Sequence, residues 1–123
     1  MVKILYVEDN EQNMRLVRKI LNHAGYEVIE AEDGFSGVEV AVSHMPDLIL
    51  MDVNLPDITG LEATARIKQS PALSGIPVIA LTANSTVGSR EDALNAGCDD
   101  YLAKPFQRDD LLKMVTDYLG KKV

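Results

Sequence analysis

Short apolar runs alternate along the chain with longer stretches in which apolar residues recur three and four positions apart. A short apolar run bounded by polar residues is typical of a buried strand, and the longer spacing is typical of an amphipathic helix. Five runs predict strands, at residues 4–7, 28–31, 48–51, 78–81 and 101–103. Because a helical pattern follows each strand, we predict an α/β fold with parallel strands and helices on both faces.

The helical stretches differ in how clear their apolar stripe is. The first is predicted to stop at Gly25 and the second at Pro46, while the third is irregular because Lys68 occupies a position that its stripe would make apolar. A fourth helix is predicted over 85–96 with few apolar anchors. The residues expected to face the core are Val17, Ile20, Leu21 and Ala24 in the first helix, Val38, Ala41, Val42 and Met45 in the second, Leu61, Thr64 and Ala65 in the third, and Leu111, Leu112, Val115, Tyr118 and Leu119 in the last.

Five strand–helix repeats in 123 residues are too few for an eight-stranded barrel. They fit a flavodoxin-like, doubly wound, five-stranded parallel sheet of order 2-1-3-4-5 with five helices. The length suits one domain, and no stretch has the composition of a linker or a low-complexity tract. We therefore predict a single domain over residues 1–123.

Polar side chains that could share one site follow the first, third, fourth and fifth predicted strands. Glu8 and Asp9 follow the first strand, Asp52 the third, Thr82 the fourth and Lys104 the fifth. In the 2-1-3-4-5 order, ligands bind at the carboxyl ends of the strands where the winding reverses, between strands one and three. Three carboxylates would converge there. Each pair about 4 Å apart would repel by roughly 4 kcal/mol, so the cluster needs a cation.

The chemistry of this cluster favours magnesium and phosphoryl transfer. Carboxylate ligands without His or Cys select Mg²⁺, or Mn²⁺, over zinc. A carboxylate can attack phosphorus, while a metal and Lys104 would neutralise the oxygens of the transferred group. Since Glu8 and Asp9 form an adjacent pair that can hold the metal, Asp52 is the expected nucleophile.

Composition and missing motifs exclude several classes of protein. A net charge of −7 argues against direct binding of nucleic acid. The chain has no membrane span or signal peptide, and its only cysteine is Cys98, so a cytoplasmic location is expected. "VEDNEQN" puts acids where a nucleotide-binding loop would hold phosphate, and a Lys-containing glycine-rich loop is missing. A haloacid-dehalogenase-type phosphatase would carry a second Asp where this chain has Asn54.

Four motifs resemble the receiver domain of two-component response regulators: "ILYVEDN", "LILMDVNLPDITG", "VIALTA" and "GCDDYLAKPF". The resemblance covers essentially the whole chain, with the family's order and spacing. It implies that Asp52 accepts a phosphoryl group from a phosphohistidine on a sensor histidine kinase or a histidine phosphotransfer protein. It also implies that Asp9, Asp52 and the backbone carbonyl of Asn54 bind Mg²⁺ directly, with Glu8 acting mainly through water.

The resemblance further implies a conformational switch. Thr82 and Lys104 contact the phosphoryl group, Tyr101 moves together with Thr82, and the Lys104–Pro105 peptide bond is cis. The signal then reaches a downstream protein target through the fourth helix, the fifth strand and the fifth helix. We expect a monomer or a phosphorylation-dependent dimer, and no enzyme activity beyond the chain's own phosphorylation and autodephosphorylation.

Two alternatives stay open. The chain could be a phosphorylation-independent binding module, or a receiver excised from a hybrid histidine kinase. Because Met1 lies immediately before the first strand, the stand-alone form is the expectation. The basic group Arg15, Arg18 and Lys19 on the first helix is either a solvated face or a kinase-docking surface.

The remaining polar and small residues are expected to be structural. Asn10 is predicted to cap the first helix, and Cys98 is predicted to be buried. Asp99 and Asp100 are predicted to form a solvated turn. The two glycines Gly34 and Gly37 are predicted to bound a turn into the second helix.

Overall fold

A computed structural model of the chain describes residues 2–83 and 87–119. It contains five parallel strands in the order β2-β1-β3-β4-β5, which confirms the predicted flavodoxin-like topology. The strands are β1 (Lys3–Val7), β2 (Glu27–Ala31), β3 (Leu48–Asp52), β4 (Val78–Thr82) and β5 (Asp100–Ala103). The helices are α1 (Glu11–His23), α2 (Gly34–His44), α3 (Gly60–Gln69), α4 (Val87–Asn95) and α5 (Arg108–Leu119). The predicted start of the fourth helix at Ser85 lies outside the described residues.

Two apolar layers, one on each face of the sheet, form the core. Side chains alternate along each strand, so every central strand contributes to both layers. In β1, Leu5 and Val7 face the layer that α2, α3 and α4 cover, while Ile4 and Tyr6 face the layer beneath α1 and α5. Residues of β1, β3 and β4 are therefore almost entirely buried, which explains their continuous apolar runs.

The helix boundaries follow local chemistry. Asn10 caps α1, as predicted, and its side chain accepts the backbone N–H of Asn13. Gly25 follows that helix with φ +98°, a conformation that glycine adopts without steric cost. Asp33 and Thr59 cap α2 and α3 in the same way as Asn10.

The apolar stripe predicted for α2 was partly wrong. Val42 and Met45 are 58% and 47% exposed, and the buried positions are Gly34, Gly37 and Ala41. Both glycines are helical residues and do not form a turn before the helix. A Cβ atom on Gly37 would lie 2.8 Å from Cγ2 of Val7, so the small residues let α2 approach the sheet closely.

The prediction of a solvated turn holds for Asp99, which lies in an exposed bend, but was wrong for Asp100. Oδ2 of Asp99 accepts the backbone N–H of Val78 at 2.8 Å and the Lys68 ammonium at 3.0 Å. Asp100 is the first residue of β5 and accepts the Tyr118 hydroxyl. Lys68 is polar at a position of α3 where an apolar residue was expected, because its side chain extends away from the helix and its ammonium group binds Asp99. The stripe itself continues through Thr64 and Ile67, which are buried, whereas Ala65 is only half-buried.

Candidate functional site

The carboxyl ends of β1 and β3 bring together the three acids that the sequence singled out. Carboxylate oxygens of Glu8, Asp9 and Asp52 all lie within 4.8 Å of one another. Glu8 and Asp52 are buried, while Asp9 is exposed. The site is thus a half-open cluster of hard oxygen atoms at the sheet edge where the winding reverses.

Backbone hydrogen bonds fix the two buried acids at this edge. The N–H of Glu8 donates to the carbonyl of Ala31 on β2, which extends the pairing of β1 by one residue. Asp52 lies opposite Leu81 in the ladder between β3 and β4, and its successor Val53 donates to the Leu81 carbonyl. The backbone N–H of Asn54 then folds back to Oδ1 of Asp52 at 3.1 Å.

Lys104 supplies the positive charge inside the cluster. Its ammonium lies 3.0 Å from Oε1 of Glu8 and 3.4 Å from Oδ2 of Asp52. Its backbone N–H donates to the carbonyl of Thr82 at 2.7 Å, which fixes the loop after β5 beside β4. The Lys104–Pro105 peptide bond is cis, as expected.

Glu8 has partners on both carboxylate oxygens. Oε1 accepts the Tyr6 hydroxyl at 2.8 Å as well as the Lys104 ammonium, and Oε2 accepts the backbone N–H of Asn10 at 3.2 Å. Burial opposes ionisation of Glu8, but hydrogen bonds from Asp52, Tyr6 and Lys104 outweigh burial and lower its pKa. Tyr6 was not singled out from the sequence. Its position two residues before Glu8, on the same face of one strand, was the available signal.

Asp52 is the less compensated of the two buried acids. Burial and the neighbouring Glu8 carboxylate raise its pKa to about 6, although Lys104 and the Asn54 N–H act in the opposite direction. At neutral pH the cluster therefore carries negative charge that one lysine does not offset. Carboxylate oxygens at this spacing with a charge deficit fit a divalent cation that prefers oxygen ligands, such as Mg²⁺.

Thr82 and Tyr101 lie on adjacent strands and on the same face of the sheet. Thr82 is the buried last residue of β4, and Tyr101 is half-buried on β5 opposite Ala80, two residues before Thr82. Tyr101 packs against the layer beneath α2, α3 and α4, while Leu102 packs against the opposite layer. The guanidinium of Arg90 on α4 lies 5.9 Å from the centre of the Tyr101 ring.

Asp57 joins the loop after β3 to α2, a connection that the sequence did not reveal. Its two carboxylate oxygens accept the backbone N–H groups of Gly34 and Phe35 at 2.8 and 2.9 Å. The loop that carries Asn54 is thereby held against the first turn of a helix distant in sequence. No local pattern distinguishes such an aspartate from an ordinary loop residue.

An apolar cavity of about 450 Å³ adjoins the site on the α1 side. Tyr6, Leu16, Val17, Lys104 and Phe106 contribute to its lining. On α1, two residues of the basic group form surface ion pairs, Arg15 with Glu11 and Arg18 with Glu30. These ion pairs are compatible with both interpretations of the basic group on α1, a solvated face and a kinase-docking surface.

Across residues 2–83 and 87–119, none of the helices combines the length and the apolar character needed to cross a membrane.

Comparison with known proteins points to a single family. The family model of the response regulator receiver domain matches residues 4–116. Among curated proteins, the polar-differentiation response regulators DivK of Brucella anthropi and Brucella ovis are each 41% identical over 117 residues, which is 95% of this chain and of theirs.

Solved structures agree with that match. The receiver domain of a sensor histidine kinase from Pseudomonas aeruginosa, with a magnesium ion coordinated in its active site cleft, is 41% identical at a TM-score of 0.90 and covers 97% of this chain and 98% of its own. The chemotaxis response regulator CheY4 of Vibrio cholerae is 31% identical at a TM-score of 0.92, with 97% and 99% covered.

Proposed function

The chain belongs to the family of response regulator receiver domains, the signalling modules of two-component systems, and on that premise we propose that Asp52 accepts a phosphoryl group from a phosphohistidine. The observation that carries this proposal is the position of Asp52, a buried carboxylate beside two further acids and within 3.4 Å of the Lys104 ammonium.

The transfer is a displacement at phosphorus. A carboxylate oxygen of Asp52 forms the new P–O bond, the P–N bond to the donor imidazole breaks, and its electron pair goes to the imidazole nitrogen. Lys104 neutralises an oxygen of the phosphoryl group as it arrives, since its ammonium already lies beside Asp52. The chain thereby catalyses its own phosphorylation, and later its autodephosphorylation, without acting as an enzyme on another substrate.

Glu8, Asp9, Asp52 and the backbone carbonyl of Asn54 are the proposed holders of Mg²⁺, with Mn²⁺ as a substitute. The close approach of the carboxylate oxygens supports this set, as does the magnesium ion in the Pseudomonas aeruginosa relative. When bound, the ion offsets negative charge on the phosphoryl oxygens. Asp9, the exposed member, keeps the site accessible to ions from solvent.

Thr82 and Tyr101 are proposed to convert phosphorylation into a change of shape. Thr82 ends the strand next to Asp52, so its hydroxyl can be drawn to the phosphoryl oxygens. Tyr101, on the same face, then turns into the space that Thr82 leaves. The affected surface comprises α4, β5 and α5, where a downstream protein binds.

The proposed partners are a sensor histidine kinase or a histidine phosphotransfer protein and one downstream protein target. We place the protein in the cytoplasm as one receiver domain over residues 1–123, either a monomer or a dimer formed on phosphorylation. The identity of 41% to a sensor histidine kinase receiver favours a second candidate, a receiver that works within a hybrid kinase.

Intact-mass spectrometry after incubation with Mg²⁺ and acetyl phosphate tests the proposal. Wild type should gain one phosphoryl group, and Asp52→Asn should gain none. The control Asp117→Asn, which changes an exposed acid in a surface ion pair of α5, should be labelled like wild type. Stoichiometric labelling of Asp52→Asn would refute the acceptor assignment. An unlabelled wild type would favour the phosphorylation-independent binding module.

A further inference from the structure

Tyr6 is a completely buried tyrosine whose hydroxyl group reaches the site. It lies on β1 in the layer beneath α1 and α5, and its exposed fraction is 0%. The hydroxyl donates to Oε1 of Glu8 at 2.8 Å. Because the side chains of residues two apart on a strand point to the same face, the ring of Tyr6 lies directly beneath the Glu8 carboxylate.

The same oxygen of Glu8 has a second donor. Lys104 donates to Oε1 at 3.0 Å and also lies 3.4 Å from Oδ2 of Asp52. Lys104 is the partially exposed member of this group and sits on a loop, whereas Tyr6 is fixed within the central sheet. Oε1 of Glu8 thus has one fixed donor, Tyr6, and one donor that can turn elsewhere, Lys104.

A turn of the Lys104 ammonium toward a phosphoryl group on Asp52 would lengthen its 3.0 Å contact with Oε1 of Glu8. A buried carboxylate that loses a donor pays a desolvation penalty unless another donor remains on that oxygen. We infer that Tyr6 is a positioning residue for phosphoryl transfer, whose hydroxyl holds Oε1 of Glu8 while the Lys104 ammonium turns to the phosphoryl group. This inference rests on the proposed phosphorylation of Asp52.

Tyr6→Phe removes the hydroxyl and keeps the ring. Oε1 of Glu8 then depends on Lys104 alone, so the ammonium is held more firmly and is less available to the phosphoryl group. At saturating Mg²⁺, we expect phosphorylation by acetyl phosphate to slow roughly three- to tenfold, the range that corresponds to one ordinary hydrogen bond. The chain has no Trp whose fluorescence could report phosphorylation, so the rate is followed by intact-mass spectrometry.

A double-mutant cycle with Glu8→Gln separates positioning from packing. The neutral amide holds Lys104 more weakly than the carboxylate does, so Tyr6→Phe should slow the Glu8→Gln protein by less than about twofold. A purely structural role of the Tyr6 hydroxyl predicts the same loss in both backgrounds. Equal losses in the two backgrounds, or a Tyr6→Phe rate equal to wild type, would overturn the inference.

Tyr118→Phe is the matched control. It also removes a tyrosine hydroxyl with two hydrogen bonds, to the Asp99 carbonyl and to Asp100, but on α5 and away from the acids. It should be phosphorylated at the wild-type rate. Wild type that takes up no phosphoryl group would overturn the proposed function and this inference together, whereas labelled wild type with an equally fast Tyr6→Phe would overturn only the inference.

A measurement on wild type covers the case in which Tyr6→Phe does not fold. With Mg²⁺ and beryllium trifluoride as the phosphoryl mimic, the Tyr6 hydroxyl proton should stay a slowly exchanging NMR resonance. Its loss to rapid exchange on binding of the mimic would mean that Tyr6 releases Glu8, and would overturn the inference.

Discussion

Asp52 is an acid whose position is unfavourable for the folded protein in the absence of a cation. Burial and the Glu8 carboxylate raise its pKa to about 6, above the value near 3.9 of an aspartate in an unfolded chain. The protonated form is therefore favoured in the fold. Relative to the ionised form, protonated Asp52 stabilises the folded protein fully below about pH 4, and this stabilisation is lost as the pH rises through about 6.

Asp52→Asn should accordingly stabilise the metal-free protein at pH 7.5. The pKa difference of about two corresponds to at most about 3 kcal/mol, and Glu8, whose pKa is lowered, offsets part of it. We expect a gain of about 1–2 kcal/mol in the free energy of unfolding, measured by urea denaturation with a chelator. The gain should shrink at pH 5. A variant less stable than wild type at pH 7.5 would contradict the charge argument.

The first turn of α3 lies against the end of β3. The N–H of Gly60 donates to the Val53 carbonyl at 2.9 Å. A Cβ atom on Gly60 would lie 2.0 Å from the backbone oxygen of Asp52, far inside van der Waals contact. The absence of a side chain at Gly60 thus lets the helix support the backbone that carries the proposed phosphoacceptor.

Gly60→Ala should therefore damage both the fold and the site. Overpacking against backbone costs about 1–3 kcal/mol of unfolding free energy, and displacement of Asp52 should slow phosphorylation several-fold. Gly75→Ala is the control, since a Cβ atom there meets nothing within 4 Å. It should change stability by less than about 1 kcal/mol and leave phosphorylation unchanged. Wild-type stability in Gly60→Ala would show that the two elements are not in such close contact.

The ring of Tyr101 links β5 to α4, since the guanidinium of Arg90 on α4 lies over it. Tyr101→Ala removes that contact and the partner that we propose for Thr82. Phosphorylation of Asp52 should stay within about twofold of wild type. The amide shift changes that beryllium trifluoride induces in α4 and β5 should fall by more than about half, because the response of two packed elements depends on their contact.

Tyr101→Phe keeps the ring beneath Arg90 and serves as the matched variant. Its amide shift changes should remain close to those of wild type. Wild-type shift changes confined to α1, with α4 and Tyr101 unaffected, would refute the proposed output surface.

The whole molecule carries a net charge of −7, and its sheet concentrates three acids at one edge. Binding of a cation by the folded chain should raise stability by mass action, about 2.7 kcal/mol at a hundred times the dissociation constant. For a domain of this size, Mg²⁺ should raise the melting temperature by on the order of 10 °C at pH 7.5.

The magnesium effect should be smaller at pH 5, where Asp52 takes up a proton and the cluster loses a ligand. Asp9→Asn should weaken it at both pH values, while Asp117→Asn should preserve it. Calorimetry over a series of Mg²⁺ concentrations measures the melting temperatures of wild type and of both variants. A melting temperature independent of Mg²⁺ in wild type would exclude the proposed metal site.

The order of the helices and strands and the chemistry at the strand ends could be predicted from the sequence. Apolar runs and helical spacing identified five strands and five helices, because alternation and burial constrain which residues a sheet covered on both faces can use. Glu8, Asp9, Asp52, Thr82 and Lys104 were recognisable because each lies at the end of a strand or shortly after it, and the carboxyl ends of parallel strands lie along one edge.

How closely the elements approach one another, and which groups distant in sequence meet, depends on three-dimensional packing. The face of α2 was mispredicted at Val42 and Met45, because apolar spacing does not reveal that Gly37 brings the helix close to the sheet. Asp99 lies in an exposed bend, as predicted, but its bonds to Lys68 and Val78 join elements that are distant in sequence. The bonds of Tyr6 and Lys104 to one oxygen of Glu8 likewise join residues from opposite ends of the chain. Such contacts depend on three-dimensional distance, which no local pattern in the sequence encodes.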